Sequence, residues 1–592
     1  MNKARVSLHV TSLLLLMFCF NYPHLRAQDS GLSRDALLSS ASHSLLNLSP
    51  SSVNSFDRSA NFAVDFPVAS PTIASFDLEP PRNVGPNRRV SALLDLTKPR
   101  GDRRGRSETT IASDRSGQFL LVGWNDAEGF LFAPFGQPPG LGLSGFGFSA
   151  DGGKTWTDGG APFIFPGPGG VGVVTRGDPW MDTGGPGQKT YYYANLAIFE
   201  DGSGGGLSVH RGGFSGKKFA FNHAVFIPPP NPNDFLDKEA LCAGHTSMSK
   251  DLVSVSVTNF TGPPTLGNGQ IEVFTSKNRA TSFPVRGIAQ ADEIISGVRV
   301  VQQGSACGIG PQGEVYVVWE RGWLSPFIGQ GGIGVFPKIF FARSEDSGMT
   351  FKPRVLVSDI SSGALFPPSG YTRNRIDDFP RMCVATNEDD PFFGRIYVVY
   401  KDSRVANGGP QPAALGPEDI AAGTGFDVGH AQTDIYLRFS DDRGDSWSGP
   451  MLVASAGSGK IDFWPVVSCN SSDGTVDVVW YESVEPEGTE FLNGAPPFGF
   501  NDSLVDVFYA ASTDGGITFS TPLRVTDVTS NWNRNVTPTN INPNFGDYIG
   551  MVSKSNRVMV TWADGRSGFT TPPPDIRQPE VFYATVGVGN IK

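Results

Sequence analysis

Ser149-Ala150-Asp151-Gly152-Gly153-Lys154-Thr155-Trp156 spells a turn that the chain repeats. Close copies run Ser344, Asp346, Gly348, Thr350, Phe351, then Ser440, Asp442, Gly444, Ser446, Trp447, then Ser512, Asp514, Gly516, Thr518, Phe519. A worn copy, Ser276, Asn278, Ala280, Ser282, Phe283, keeps the spacing without the Asp and Gly. A motif recurring at intervals of tens of residues implies a repeat architecture.

The residue types follow from turn physics. An Asp or Asn accepts hydrogen bonds from backbone amides just ahead of it, and Gly takes the positive-φ position. The Thr and aromatic that follow suit the start of a strand whose ring is buried between neighbouring sheets. These residues resemble the Asp-box of the sialidase superfamily and other Asp-box β-propellers. The resemblance covers about residues 100 to 587. It implies a propeller in which the box aspartates are structural and lie on the face away from the active site.

From Arg106 onward a unit recurs, its second strand the easiest to see: Phe119 to Trp124, Val315 to Trp319, Ile396 to Tyr400, Val476 to Trp480 and Val558 to Trp562. These β-branched and aromatic runs are bounded by Gly, Asn or Asp. A shorter strand precedes each, with starts read at Glu108, Asp178, Glu239, Ser305, Asp378, Asp462 and Asp547. The expected fold is therefore all-β, a β-propeller of four-stranded blades with seven favoured. Six blades is the alternative if the second unit, which lacks the box, is an elaborated loop. The seventh unit stops at Val581 to Val586, so residues around Val90 to Leu96 are expected to close the ring and remove its exposed edges.

Residues 1–27 read as a secretory signal: Lys3 and Arg5, an apolar core from Leu13 to Phe20, and a cleavage site at Leu25-Arg26-Ala27. Residues 28–85 form a Ser-rich segment, a linker or wrap in which Ser33 to Leu48 is a candidate helix, and 86–592 the propeller. No stretch is long enough to span a membrane. The chain is expected to be secreted, periplasmic or on the cell surface. Cys242, Cys307, Cys383 and Cys469 remain after the signal, each near the end of its unit's first strand. Pairing neighbours gives Cys242 with Cys307 and Cys383 with Cys469; four buried free thiols are the alternative. A net charge of −11 gives no footprint for nucleic acid. Seven scattered His argue against a His-based metal or triad site, and no phosphate loop or nucleophile elbow appears. No cofactor is expected, with Ca²⁺ the one candidate ion for a ring of carboxylates.

In a propeller, the starts of the innermost strands and the loops after the second strands open on one face. The first set gathers Glu108, Asp178, Glu239, Asp378, Asp462 and Asp547; the second gathers Asp126, Glu320, Arg321, Asp402, Arg404, Glu482, Asp564 and Arg566. The plain reading is that these charges cap strands and pair around the ring. The long insertions fall after second strands, as in Glu128 to Phe148, Val405 to His430 and Glu487 to Asn501, and they carry Phe130, Phe132, Phe135, Trp323, Phe327, Phe491, Phe498 and Phe500. Such loops on a rigid scaffold are where binding resides. The expected partner is an extracellular carbohydrate or protein. The second expectation, an exo-acting glycoside hydrolase, carries the resembled family's retaining mechanism: Tyr548 as nucleophile, Glu482 as its partner, Asp126 as acid/base, and Arg106, Arg404 and Arg566 as substrate clamps, with Asp178, Asp378, Asp462 and Asp547 contributing to binding. The family's early Phe/Tyr-Arg-Ile-Pro motif is missing; Arg106-Ser107-Glu108 stands there, with an acid where a carboxylate substrate would be repelled.

Overall fold

The computed structural model describes residues 82–92, 106–126, 142–261, 269–295, 298–324, 334–361, 377–403, 433–457, 460–469, 472–484, 504–531, 546–554, 557–566 and 579–588. The chain divides into Met1–Pro81 and Arg82–Lys592, and every described residue belongs to the second unit. The expected segments at 1–27 and at Ser33 to Leu48 lie outside the described residues.

Seven antiparallel sheets form a seven-bladed β-propeller. Each is a meander whose first strand faces the axis. The inner strands are Arg106–Ser113, Trp180–Gly184, Phe235–Ala243, Val298–Ile309, Arg381–Val384, Lys460–Ser468 and Gly550–Lys554. Each packs on the next, and the seventh returns to the first. Blade 2 is elaborated by two short strands, Phe165–Pro166 and Gly172–Thr175, yet keeps a full set of its own.

The second strands hold the core. Trp124, Trp319, Trp480 and Trp562 are all fully buried. A buried indole N–H needs a partner, and each finds one near the mouth of the ring. Trp562 Nε1 donates to Asp564 at 2.7 Å, Trp480 to Asp462 at 3.0 Å and Trp319 to Gln302 at 2.7 Å. Residues i and i+2 share a strand face, so part of the recurrent Trp-x-Asp pattern is indole satisfaction.

The repeated turns sit between third and fourth strands, at the end opposite the inner-strand starts. In the first, Asp151 accepts from Thr155 N at 2.9 Å, Thr155 Oγ1 at 2.6 Å and Ser149 Oγ at 2.8 Å, while Gly153 N donates to Ser149 Oγ at 2.9 Å. The copies at Asp346, Asp442 and Asp514 repeat the pattern. These donors hold the Asp151 and Asp346 carboxyls down at about 2. Gly444 (φ +87) shows why Gly is needed: a Cβ there would stand 2.0 Å from the Phe341 ring of the preceding blade. In the worn copy Ala280 occupies the same left-handed region, φ 56, with Asn278 Oδ1 accepting from Ser282 N at 3.1 Å.

The ring is closed by Arg82–Val84 and Arg88–Arg89, both paired with Glu580–Val588. The closing strand therefore lies upstream of the expected Val90: Val90 and Ser91 reach Val581 by single hydrogen bonds, beyond the paired stretch, and Leu93 to Leu96 lie outside the described residues. Asn87 fastens the closure, donating to Val525 O at 3.0 Å and accepting from Asp527 N and Arg566 Nη2, both at 2.8 Å.

Both expected disulfides are present, Cys242–Cys307 and Cys383–Cys469, tying blade 3 to blade 4 and blade 5 to blade 6. They fit an oxidising compartment. Among the described residues no helix is long and apolar enough to cross a membrane.

Candidate functional site

Near the mouth of the ring, the ladder between first and second strands skips residues at the same depth in four blades. The breaks fall between Ser107 and Thr110, Asp237 and Ala240, Gln303 and Ala306, and Phe463 and Val466. Bulges of this kind re-aim side chains. Glu108 (φ 51), Lys238 (φ 55), Gly304 (φ 65) and Trp464 (φ 50) take the left-handed region there, and Asp178 (φ 52) does so just before its inner strand. A non-glycine residue in that region costs roughly 1–2 kcal/mol, so three strained charged residues meet at one place.

They meet as an ion cluster. Lys238 Nζ stands 2.6 Å from Asp547, 2.9 Å from Asp178 and 3.4 Å from Glu108. Glu108 also accepts from Asn125 Nδ2 at 2.8 Å, and Asn125 Oδ1 accepts from Asp178 N at 2.8 Å. Three blades and the ring's closing junction are thus joined through one ammonium.

A small pocket opens beside this cluster, lined by Asp178, Trp180, Lys238, Glu239, Gly304, Ser305, Phe379, Arg381 and Tyr548. Its volume of about 10 Å³ is the room of a single water. Tyr548 is buried and its hydroxyl donates to Pro179 O at 2.9 Å. Burial raises its phenol well above the usual range, with Glu108, Asp178 and Glu239 adding to the shift. Arg381 is 6% exposed, its guanidinium 5.0 Å from the Trp180 ring and 5.4 Å from that of Tyr548. Its Nη1 donates to Pro380 O at 3.1 Å, and burial lowers it to about 10. No carboxylate among the described residues is within ion-pair distance of it. Glu239 is 3% exposed, and both its carboxyl oxygens lack a hydrogen-bond partner. Burial, then the neighbouring Asp178, push its carboxyl well above the ordinary value.

Of the residues singled out from sequence, Glu108, Asp178, Glu239, Asp547 and Tyr548 come together here. Glu482 instead pairs with Lys460 at 2.7 Å, and Asp126 with Arg106 at 3.4 Å. Arg106 also donates to Ala92 O at 3.0 Å. Arg566 is held by Asp564, Asp527 and Asn87 over the Phe582 ring, at the closing junction. Asp378 pairs with the buried Lys401 at 2.9 Å. Asp462 accepts from Trp480, and burial, then Glu482, hold its carboxyl well up. Arg404 and the insertion residues Phe130, Phe132, Phe135, Phe327, Phe491, Phe498 and Phe500 lie outside the described residues. Among the described residues no three His, Cys, Asp or Glu are grouped to hold a metal ion; where the carboxylates converge, Lys238 supplies the positive charge.

Lys238, Arg381 and Trp180 were missed from sequence. One signal could have found two of them. Asp178-Pro179-Trp180 and Phe379-Pro380-Arg381 both stand at the start of an inner strand, where a proline's missing N–H is tolerated. That alignment puts Trp180 and Arg381 at equivalent positions.

No protein-family model matches the chain, and no curated protein matches it. Solved structures with a similar trace include a protein of unknown function from Dyadobacter fermentans (12% identity, 86% of this chain and 99% of that one, TM-score 0.39). Others are an α-L-arabinanase from Penicillium chrysogenum complexed with arabinobiose (11%, 86% and 100%, TM-score 0.34) and a mutant sialidase from Trypanosoma rangeli displaying trans-sialidase activity (12%, 74% and 59%, TM-score 0.38). At these scores the likeness carries nothing about chemistry, and the functional reading rests on the site itself.

Proposed function

We propose that this chain is an exported propeller that binds an extracellular glycan at the mouth of its ring. The supporting observation is the convergence of Asp178, Glu239, Arg381 and Tyr548 with the half-buried Trp180 in one pocket. Hydroxyl-rich ligands need many donors and acceptors held in fixed geometry, with an aromatic face for the apolar side of the ring. The pocket supplies polar groups for one such hydroxyl, and Trp180 an aromatic face. It also opens on the edge from which the chain leaves each second strand, the edge that carries the long insertions.

Exo-acting glycoside hydrolysis at Tyr548 is the second reading, favoured by the position of that phenol in the pocket beside acids. A tyrosine nucleophile must shed its proton. Here burial and three nearby carboxyl groups oppose a phenolate, and the hydroxyl is already donated to a carbonyl. Binding without turnover is therefore the leading reading.

A glycan array probed with the purified protein tests it, beside a panel of fluorogenic glycosides that includes sialosides. Binding to a defined glycan set with no hydrolysis supports the first reading. Turnover abolished by Tyr548→Phe supports the second. Silence in both assays refutes both, and transfers the site to a protein partner.

A further inference from the structure

We infer that the axial pocket selects a neutral sugar by taking in one of its hydroxyl groups, with Glu239 serving as a neutral carboxylic acid that both donates and accepts. The inference rests on the glycan reading above and specifies its ligand.

Three observations carry it. The pocket holds about one water, so a single hydroxyl can enter but a sugar ring cannot. Glu239 has two buried oxygens with no hydrogen-bond partner. An unsatisfied buried carboxyl is costly, and an ionised one far more so. An incoming hydroxyl, accepting from the acid O–H and donating to a carboxyl oxygen, would satisfy it. The charge around the pocket is the third observation: Glu108, Asp178 and Asp547 share Lys238, and Arg381 stacks on Trp180 and Tyr548. Three carboxylates against two cations leave no surplus of positive charge for an anionic sugar.

The groups facing Glu239 come from several blades. Asp237 and Lys238 precede it on its own strand and Asp178 faces it from blade 2; Ser305, Arg381 and Tyr548 share its pocket from blades 4, 5 and 7. The carboxylates among them oppose its ionisation, as burial does. Glutamine has the same shape and keeps a donor and an acceptor, so Glu239→Gln preserves the proposed contact.

The test has two parts, both on the full chain. Infrared difference spectra of wild type and Glu239→Gln at pH 7 should contain the carbonyl band of a neutral carboxylic acid that the variant lacks. Calorimetric titration should then compare neutral hexose-terminated oligosaccharides with hexuronate-terminated counterparts. The expected result is a preference of about tenfold or more for the neutral member, with Glu239→Gln binding it within about threefold of wild type. Absence of the band overturns the inference whatever is bound. So does equal or tighter binding of the uronates, or a tenfold loss on Glu239→Gln. If the band is present and no saccharide binds, the glycan reading itself falls, and the hydroxyl pocket with it.

Discussion

Replacing Lys238 by Met should destabilise the ring by an amount set by pH. The substitution keeps the side chain's length and the left-handed backbone at this position, and removes only the ammonium. It leaves Asp547, Asp178 and Glu108 gathered within 3.4 Å of a vacated charge, with Asp547 and Glu108 side chains fully buried. Breaking a buried ion pair from one side costs about 3–5 kcal/mol. The protein can limit that loss by protonating one carboxylate. For a group of ordinary pKa near 4 this costs about 1.36 × 3, or roughly 4 kcal/mol, at pH 7 and about 1.4 kcal/mol at pH 5. In the variant the folded-state pKa of that carboxylate lies above its unfolded value. The destabilisation is therefore full at neutral pH and fades as pH falls toward about 4. Equilibrium denaturation at pH 7 and pH 5 reads both numbers, and adding Asp547→Asn should recover part of the loss at pH 7. A loss below about 1 kcal/mol at pH 7, or one equal at both pH values, would refute the cluster as a shared-charge junction.

The turn aspartates should behave oppositely. Asp346→Ala removes four accepted hydrogen bonds and should cost about 1–3 kcal/mol in denaturation while leaving glycan titrations unchanged. Because Asp151 and Asp346 are held near 2, their contribution is present above about pH 4 and fades as pH falls through about 2; thermal melts across that range should follow it. Gly444→Ala places a Cβ 2.0 Å from Phe341 at a positive φ and should destabilise by about 1–3 kcal/mol or more, measured by denaturation midpoint. Replacing Cys383 and Cys469 together by Ser should cost about 2–5 kcal/mol, read by denaturation with and without reductant.

The fold was legible because its signals are local and repeated. Asp151, Asp346, Asp442 and Asp514 close their turns on neighbours at most four residues away, and the second strands announce themselves as β-branched and aromatic runs. The disulfides were legible for the same reason, each cysteine keeping its place in its unit. Ring closure was harder, since Arg82–Val84 has no periodic pattern and gains its strand partner from more than 500 residues away. At the site, the acids at inner-strand starts were visible, but which of them meet was not. The break between Asp237 and Ala240 takes Lys238 and Glu239 out of simple alternation, and both line the pocket. Glu482 and Asp126 were assigned as Tyr548's partners by carrying over the mechanism of the family the repeated turn resembles. Their pairing with Lys460 and Arg106 depends on cross-strand register that sequence spacing leaves open. Arg381 was hidden because the reading followed the acids at strand starts, here Asp378, and Arg381 lies three residues further along the chain.

A crystal structure of the complex with the tightest-binding oligosaccharide from the array tests the site most directly. The terminal sugar should lie over Trp180 with one hydroxyl directed between Glu239, Asp178 and Arg381. Sugar density on the face of the repeated turns, or on the outer blade edges with the axial pocket untouched, would contradict it.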